Sequence, residues 1–377
     1  PHDAMLAEER SQTSAGGTNT GWFAGYDYLY EKHFTPDAAQ AAQCAVLEFE
    51  GVYHNAEVHL NGEKIASCPY GYSDFYADLT GKLLPGRDNV LEVIAHNADQ
   101  PNSRWYSGAG IYRPVTLWTA PARHILPDGV QVRTLSIDPA EVEVTVQTTA
   151  SGAVAVAILD GEQTVATAQA ESNGKAVLQV QIPNAKLWSP DSPALYRCRA
   201  MFGDDCAETT FGVRTLSWGD DGFLLNGKRV ILLGACVHHD HGVLGACCYP
   251  EAEERKVRLL QKVGYNAVRC AHNPCSKAFL DACDRLGMLV MDEYADMWYI
   301  HKTQYDYAGY LPDHWRQDLE SIVRKDYSHP SVIMYSIGNE VAETAQTRGI
   351  ALTKQMTEHM HSLDLSLIHI SEPTRPY

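Results

Sequence analysis

Four short runs hold the residues best suited to chemistry: His238-His239-Asp240-His241, Arg269 with His272 and Asn273, Asp292-Glu293 with Asp296, and Asn339-Glu340. Each run mixes groups that exchange protons with groups that hydrogen-bond hydroxyls. Carboxyl groups beside aromatic residues suit cleavage of a glycosidic bond. One carboxylic acid protonates the departing oxygen, and in a retaining reaction a second carboxylate, about 5–5.5 Å from the first, attacks the anomeric carbon. Glu340 is the best candidate for the acid, and Asn339 beside it could hold the sugar 2-hydroxyl. Such an acid must keep its proton near neutral pH, so burial or a nearby carboxylate has to raise its pKa. Proton transfer of this kind contributes about 10²–10⁴-fold in rate. Tyr294 and Trp298 could stack on a sugar face, in competition with ordinary core packing.

The same His, Asp and Glu residues raise a metal-dependent hydrolase as an alternative. His238-His239-Asp240-His241 lacks helical H-E-x-x-H spacing, and the ten cysteines form no C-x-x-C pair. The usual signatures of a transition-metal centre are therefore missing.

The elements that position these groups follow from periodicity. After about Trp218, strand-like and helical runs alternate: Val230–Leu233, a helix from about Glu251 to Val263 stopped by Gly264, Ala267–Arg269, a helix capped by Ser276 and closed by Gly287, Leu289–Met291, a helix with Trp315, Leu319, Ile322 and Val323 on one stripe, Val332–Tyr335, and a helix from about Ala345 to Leu363. Strict alternation predicts a parallel sheet. With β-rich sequence before it, the pattern favours a (β/α)8 barrel, of which four βα units are present. Each predicted strand runs into one of the four polar runs, the end at which a barrel carries its working groups.

Upstream, about residues 20–120 read as short β runs (Val46–Phe49, Val90–Ile94) between turn signals at Asn61-Gly62 and Pro85-Gly86, as in a jelly roll. Residues 125–217 alternate more cleanly, through Val142, Val144, Val146, then Val154, Val156, Ile158, then Leu178, Val180, Ile182, with turn signals at Asp160-Gly161 and Asn173-Gly174. That pattern suits an immunoglobulin-like sandwich. The expected division is 1–121 jelly-roll sugar-binding domain, 122–217 immunoglobulin-like β-sandwich, and 218–364 the N-terminal half of a TIM-barrel catalytic domain. The last stretch, 365–377, abandons the pattern. Its SLIHISEPTR run looks like the translation of a DNA-library adapter, so the natural chain is expected to end near Asp364.

The 377 residues carry a net charge of -17, which argues against a nucleic-acid partner. No apolar run is long enough to span a membrane. A hydroxyl-rich, neutral partner is compatible with that charge. Scattered cysteines in a chain of this size read as reduced thiols, and a cytoplasmic location is expected. The chain starts at Pro1, which leaves a secreted or periplasmic parent open.

Longer runs add a family resemblance. GVYHNAEVHLNG from Gly51, GYSDFYADLT from Gly71 and RWYSGAGIYR from Arg104 resemble the sugar-binding jelly roll of glycoside hydrolase family 2, β-galactosidase-like members in particular. LWSPDSPALY from Leu187 and FGVRT from Phe211 resemble its immunoglobulin-like domain. GACVHHDHG from Gly234, NAVRCAHNP from Asn266, DEYADMW from Asp292 and HPSVIMYSIGNE from His329 are similar to its consecutive barrel motifs. The resemblance implies that Glu340 is the general acid/base and Asn339 its partner. It implies sugar-subsite roles for His238 and His272, a supporting role for Arg269, and polar contacts from Asp240, Asn273 and Glu293. It also implies that the Arg104-Trp105 loop reaches the site from the first domain. In some β-galactosidases the acid at Glu293 binds magnesium with a histidine two residues on. Ala295 stands there, so no cofactor is expected.

The family's nucleophile is a second glutamate on a later strand, and no residue here matches it. This piece of the protein is accordingly expected to be inactive, with apolar edges left open on its half barrel. The parent is expected to be a retaining exo-β-glycosidase acting on terminal β-D-galactose, its partner a β-galactoside or related oligosaccharide. The family often assembles, which leaves a homo-oligomeric parent open. A β-glucuronidase is disfavoured by VHHDH at Val237, where those enzymes usually show an N-K-H-E-D run. A carbohydrate-binding module without catalysis is the third alternative, and an Asn-Glu pair at a strand end argues against it.

Overall fold

A computed structural model of the chain describes residues 1–364 and, by backbone alone, Ile368–Ile370. The proposed adapter-derived stretch, 365–377, otherwise lies outside the described residues.

The first domain contains β1 (Asp27–Phe34), a short helix α1 (Ala38–Ala42), β2 (Cys44–Phe49), β3 (Ala56–Leu60), β4 (Glu63–Cys68), β5 (Phe75–Asp78), β6 (Asn89–His96) and β7 (Val115–Ala120). They form two antiparallel sheets, in the orders β1-β6-β3-β4 and β5-β2-β7. Alternation sets the faces: Ala56, Val58 and Leu60 are buried, and Glu57 and His59 between them are not. Asn61 and Gly62 both adopt positive φ, so the β3–β4 hairpin closes through the two-residue turn that Asn-Gly predicts.

The second domain contains β8 (Ile125–Ile137), β9 (Ala140–Asp160), β10 (Gln163–Gln181), the short pair β11 (Trp188–Ser189) and β12 (Ser192–Pro193), β13 (Tyr196–Phe202) and β14 (Asp205–Phe211). The sheet runs β10-β9-β13-β14, with β8 also on β9. All nine alternating aliphatic residues named above are buried. Asp160-Gly161 turns β9 into β10, as expected. Asn173-Gly174 does not turn the chain. It lies inside β10, where the register against β9 slips between Asn173 and Lys175. Gly174 takes φ +90° there, so the glycine accommodates a bulge while pairing continues on both sides.

A three-stranded sheet of β15 (Leu216–Gly219), β16 (Gly222–Leu225) and β17 (Lys228–Arg229) straddles the expected boundary at 217. Beyond it, β18 (Gly234–Val237), β19 (Ala267–Cys270), β20 (Leu289–Glu293), β21 (Val332–Ser336) and β22 (Ile368–Ile370) form a parallel sheet in chain order. The crossovers carry α2 (Pro250–Lys262), α3 (Lys277–Leu286), α4 (Leu311–Asp326) and α5 (Thr347–Leu363). Ser276 caps α3 by accepting the Phe279 N–H at 3.1 Å, and Gly287 closes it at φ +77°.

The first barrel strand lies four residues later than its apolar run suggested. Val230 gives its N–H to the Phe223 carbonyl and so extends the preceding sheet. Ile231 and Leu233 are left 65% and 56% exposed, and pairing with β19 begins only at Gly234. Hydrophobicity marks a run; the parallel partner decides where the strand lies. Among the described residues the sheet does not close. Its inner face is an apolar groove of about 250 Å³ lined by Leu232, Val268, Met291 and Met334 among others.

Two arginines of the motif runs lock the domains together. Arg113 is buried and donates to the carbonyls of Tyr72 at 2.9 Å and Pro274 at 2.7 Å. Arg214 donates to the carbonyls of Pro330 at 2.6 Å and Val332 at 2.7 Å. One apolar core runs from Tyr53, Tyr70, Tyr72 and Tyr112 of the first domain into the barrel helices. The loop carrying Arg104 and Trp105 is therefore held over the barrel.

Candidate active site

The carboxyl ends of the parallel strands deliver the polar groups to one rim. His238 directly follows β18, and His272 lies two residues after β19. Asp296 lies three residues after β20, and Asn339 and Glu340 follow β21 within four residues. The loop after β6 adds Arg104 and Trp105 from the side.

Arg104 joins the two domains. Its Nε donates to Asp296 Oδ2 at 3.0 Å, its Nη2 to Asp296 Oδ1, and its Nη1 to Glu340 Oε2 at 3.2 Å. Asp296 also accepts from Asn339 Nδ2 at 2.9 Å and from Lys302 Nζ at 3.3 Å. Lys302 Nζ donates to the Asn339 carbonyl at 2.5 Å as well. Burial works to raise the Asp296 carboxyl, but Arg104, Lys302 and Asn339 outweigh it and hold it below the usual aspartate range.

A second set shares Asn339. Arg269 Nη2 donates to Asn339 Oδ1 at 3.1 Å, and its Nε donates to Glu293 Oε2 at 2.7 Å. The other Glu293 oxygen meets His272 Nδ1 at 2.8 Å. The Asn339 amide is thus oriented by an acid on its nitrogen and an arginine on its oxygen. Trp105 completes a wall, its ring 4.6 Å from His238 and 5.5 Å from His272, centroid to centroid. Burial and the neighbouring His272 lower the pKa of His238, which favours a neutral ring.

Several expected site residues are not where a sugar would touch them. Trp298 is fully buried and donates its indole N–H to the Ile337 carbonyl at 2.8 Å. A Cβ on Gly338 would stand 3.0 Å from that indole nitrogen, so the ring supports the loop carrying Glu340 and offers no stacking face. Tyr294 is likewise buried, its hydroxyl on Asp318 at 2.7 Å. Glu293 is 1% exposed with both oxygens engaged, so it orients Arg269 and His272 and reaches no ligand itself. Asn273 accepts from the Tyr70 hydroxyl at 2.8 Å, at the buried seam with the first domain. Asp240 is exposed beside the wall.

Glu340 also departs from expectation. Its side chain is 69% exposed and its charged neighbour is a guanidinium, where burial or a second carboxylate was expected. Its neighbours Ile337, Asn339 and Val341 are buried, and Glu340 alone projects from the loop. The backbone at Glu340 is left-handed, φ +47°, a conformation a glutamate holds only when its surroundings enforce it.

Two residues of the network had not been assigned a site role from the sequence. Asp296 was legible as an acid beyond a strand end, but its part as the hub between Arg104, Lys302 and Asn339 depends on a contact across 192 residues. Lys302 lies on a long loop without periodicity, and no sequence signal marks it.

Three groups among the described residues have their acid, thiol or imidazole atoms close enough for a metal: Cys270, Cys275 and Asp292; Asp281, Asp284 and His329; Glu48, Asp74 and Asp128. Each already has an internal partner. Lys325 donates to Asp292 at 3.2 Å, His329 meets Asp284 at 2.6 Å, and Lys277 bridges Glu48 and Asp128. None of the three includes a residue of the rim.

Among the described residues, no helix is long and apolar enough to cross a membrane. Three family models match the chain in succession: a galactose-binding domain-like model of glycosyl hydrolase 2 over residues 8–122, one of glycosyl hydrolases family 2 over 128–214, and the TIM barrel domain of that family over 217–374. The chain is 39% identical over 364 residues to the β-galactosidase BoGH2A of Bacteroides ovatus, matching 91% of this chain and 43% of that protein. It is 32% identical over 370 residues to a putative β-glucuronidase of Formosa agariphila, matching 94% of this chain and 36% of that protein. A solved family 2 structure from Bacteroides cellulosilyticus superposes with a TM-score of 0.93 at 36% identity, covering 98% of this chain and 51% of that one. A β-glycosidase from Bacteroides vulgatus superposes with a TM-score of 0.90 at 30% identity, covering 98% and 49%. The chain thus spans about two fifths of the length of those two curated relatives.

Proposed function

The chain belongs to glycoside hydrolase family 2, and from that premise we propose that the whole protein is a retaining exo-β-glycosidase for terminal β-D-galactosides. The observation that carries the reading is Glu340, set after the fourth parallel strand beside Asn339 and linked by Arg104 to the wall of Trp105, His238 and His272. In this reading Glu340 gives its proton to the departing glycosidic oxygen and later takes one from water. Asn339, held at both ends of its amide by Asp296 and Arg269, hydrogen-bonds the 2-hydroxyl, a contact that strengthens in the transition state. Trp105 and the histidines form one side of the sugar subsite. The attacking carboxylate is assigned to none of the described residues, since the oxygens of Asp296 and Glu293 are taken by Arg104, Lys302, Asn339, Arg269 and His272.

The choice of galactoside over glucuronide rests on charge. A uronic acid needs a cation to meet its carboxylate. At this rim Arg104, Lys302 and Arg269 each face a carboxylate of the chain itself, which suits an uncharged sugar. A β-glucuronidase is the second reading, motivated by the relatives that carry that name. The test is hydrolysis of p-nitrophenyl β-galactoside, β-glucuronide and β-mannoside by the complete gene product. A higher kcat/KM for the galactoside is expected, and preference for the glucuronide would overturn the substrate assignment. Activity lost to a chelator but kept in Glu340→Gln would instead indicate metal-dependent hydrolysis.

A further inference from the structure

Away from the rim, a cleft of about 630 Å³ lies where all three domains meet. That volume is in the roughly 300–1,000 Å³ range of small-ligand sites, which favour domain junctions. One wall is the outward face of β2 and β7, with Val46, Glu48, Glu50, Thr116 and Trp118. Facing it are the β14 edge and residues of α3 and α4.

Trp118 presents an exposed ring to this space, with 46% of the residue accessible. Its indole N–H donates to Glu48 Oε2 at 2.7 Å, which fixes the ring's orientation. The other Glu48 oxygen holds Lys277 Nζ, which also donates to both oxygens of Asp128 at 2.9 and 3.1 Å. Arg324 stands 3.5 Å from Asp74. These charges are met within the protein, so they offer hydrogen-bonding edges more than free charge. Two buried polar atoms of cleft-lining residues have no hydrogen-bond partner, Glu50 Oε2 and Arg324 Nε. Burial pushes the Glu50 carboxyl up to about 7, with Glu48 adding to the rise and Lys277 opposing it, so near neutral pH it can donate or accept.

A fixed aromatic face beside an unsatisfied donor and acceptor complements a molecule that is apolar on one face and hydroxylated at its edge. We infer that this cleft is a second carbohydrate-binding site, separate from the rim, that takes a neutral mono- or disaccharide with one pyranose face on Trp118. The surrounding carboxylates disfavour an anionic sugar. The inference leans on the proposed function only for the class of sugar.

Isothermal titration of the full 377-residue chain with methyl β-galactoside and with lactose tests it. Saturable binding is expected, weakened at least tenfold by Trp118→Ala, less than threefold by Trp118→Phe, and unchanged by Trp105→Ala at the rim. Thr116→Arg, which puts a long cationic side chain into the cleft opposite Glu48 on the neighbouring strand, is expected to weaken binding as much and covers the case in which Trp118→Ala fails to fold. Absence of saturable binding, or binding lost through Trp105→Ala and kept in Trp118→Ala and Thr116→Arg, overturns the inference. Hydrolysis of p-nitrophenyl β-galactoside by the complete protein reports the rim separately: Trp118→Ala leaves its kcat unchanged if the two sites are distinct, and an equal loss of kcat counts against the cleft.

Discussion

Arg104 and Asp296 come from different domains and meet side by side, with Nε 3.0 Å from Oδ2, Nη2 on Oδ1, and the remaining Nη1 on Glu340 at 3.2 Å. A loop of the first domain thereby places a cation against the proposed acid of the barrel.

Asp296→Asn in the complete protein should therefore lower kcat/KM for aryl β-galactosides on the order of 10²-fold, since displacement of a positioned group by about an ångström is enough for that. Steady-state kinetics measure it. A value within twofold of the parent would mean that the Arg104–Asp296 pair does not position Glu340.

Glu340→Gln removes the proton donor. Hydrolysis of a substrate with a poor leaving group should fall about 10²–10⁴-fold. A dinitrophenyl glycoside, whose leaving group departs without a proton, should lose much less in the bond-breaking step. Comparing pre-steady-state rates for the two substrates separates an acid from a group that only holds the sugar. Equal losses on both would remove Glu340 from the acid role.

Glu293→Gln should destabilise the fold itself. The carboxylate is 1% exposed between Arg269 and His272. Removing the anion takes away the charge that the half-buried Arg269 guanidinium and the buried His272 ring both face, a change that costs about 1–3 kcal/mol. Denaturant unfolding of the parent and variant chains, followed by circular dichroism, measures the loss. An unchanged transition midpoint would show that the pair adds nothing to stability.

Glu50 sets a pH dependence of the opposite sign to ordinary acid denaturation. Burial first, then Glu48 and Asp74, raise it from 4.5 to about 7, while Lys277 and Arg113 oppose the rise. Between those values the folded chain holds a proton that the unfolded chain has released, so this group's contribution falls as pH climbs through the window and stays lower above it. Glu50→Gln should flatten the decline in melting temperature between pH 5 and 8. The flattening corresponds to roughly 2 kcal/mol once the group's partial exposure is allowed for. Parallel curves for parent and variant would show that Glu50 titrates normally.

Local rules carried the sequence a long way in this protein. Val142, Val144 and Val146 declared a buried strand face because strand side chains alternate, and Ser276 and Gly287 bounded α3 because caps are chemistry of single residues. Strand-end clustering brought His238, His272, Asn339 and Glu340 into view, because parallel strands deliver their carboxyl ends to one side. What needed the tertiary structure were relations between distant segments. Asn173-Gly174 has the composition of a turn and became a bulge because its neighbours stay paired with β9. Val230–Leu233 has the composition of a strand, yet pairing with β19 put the strand at Gly234. Trp298 and Glu293 looked like ligand contacts and proved to be buried supports. Asp296 and Lys302 became partners of Asn339 only through the packing of loops. Residue type and period describe a side chain's chemistry and which face it shares; whether that face meets a cavity, a neighbour or water depends on segments too far along the chain for any local pattern to register.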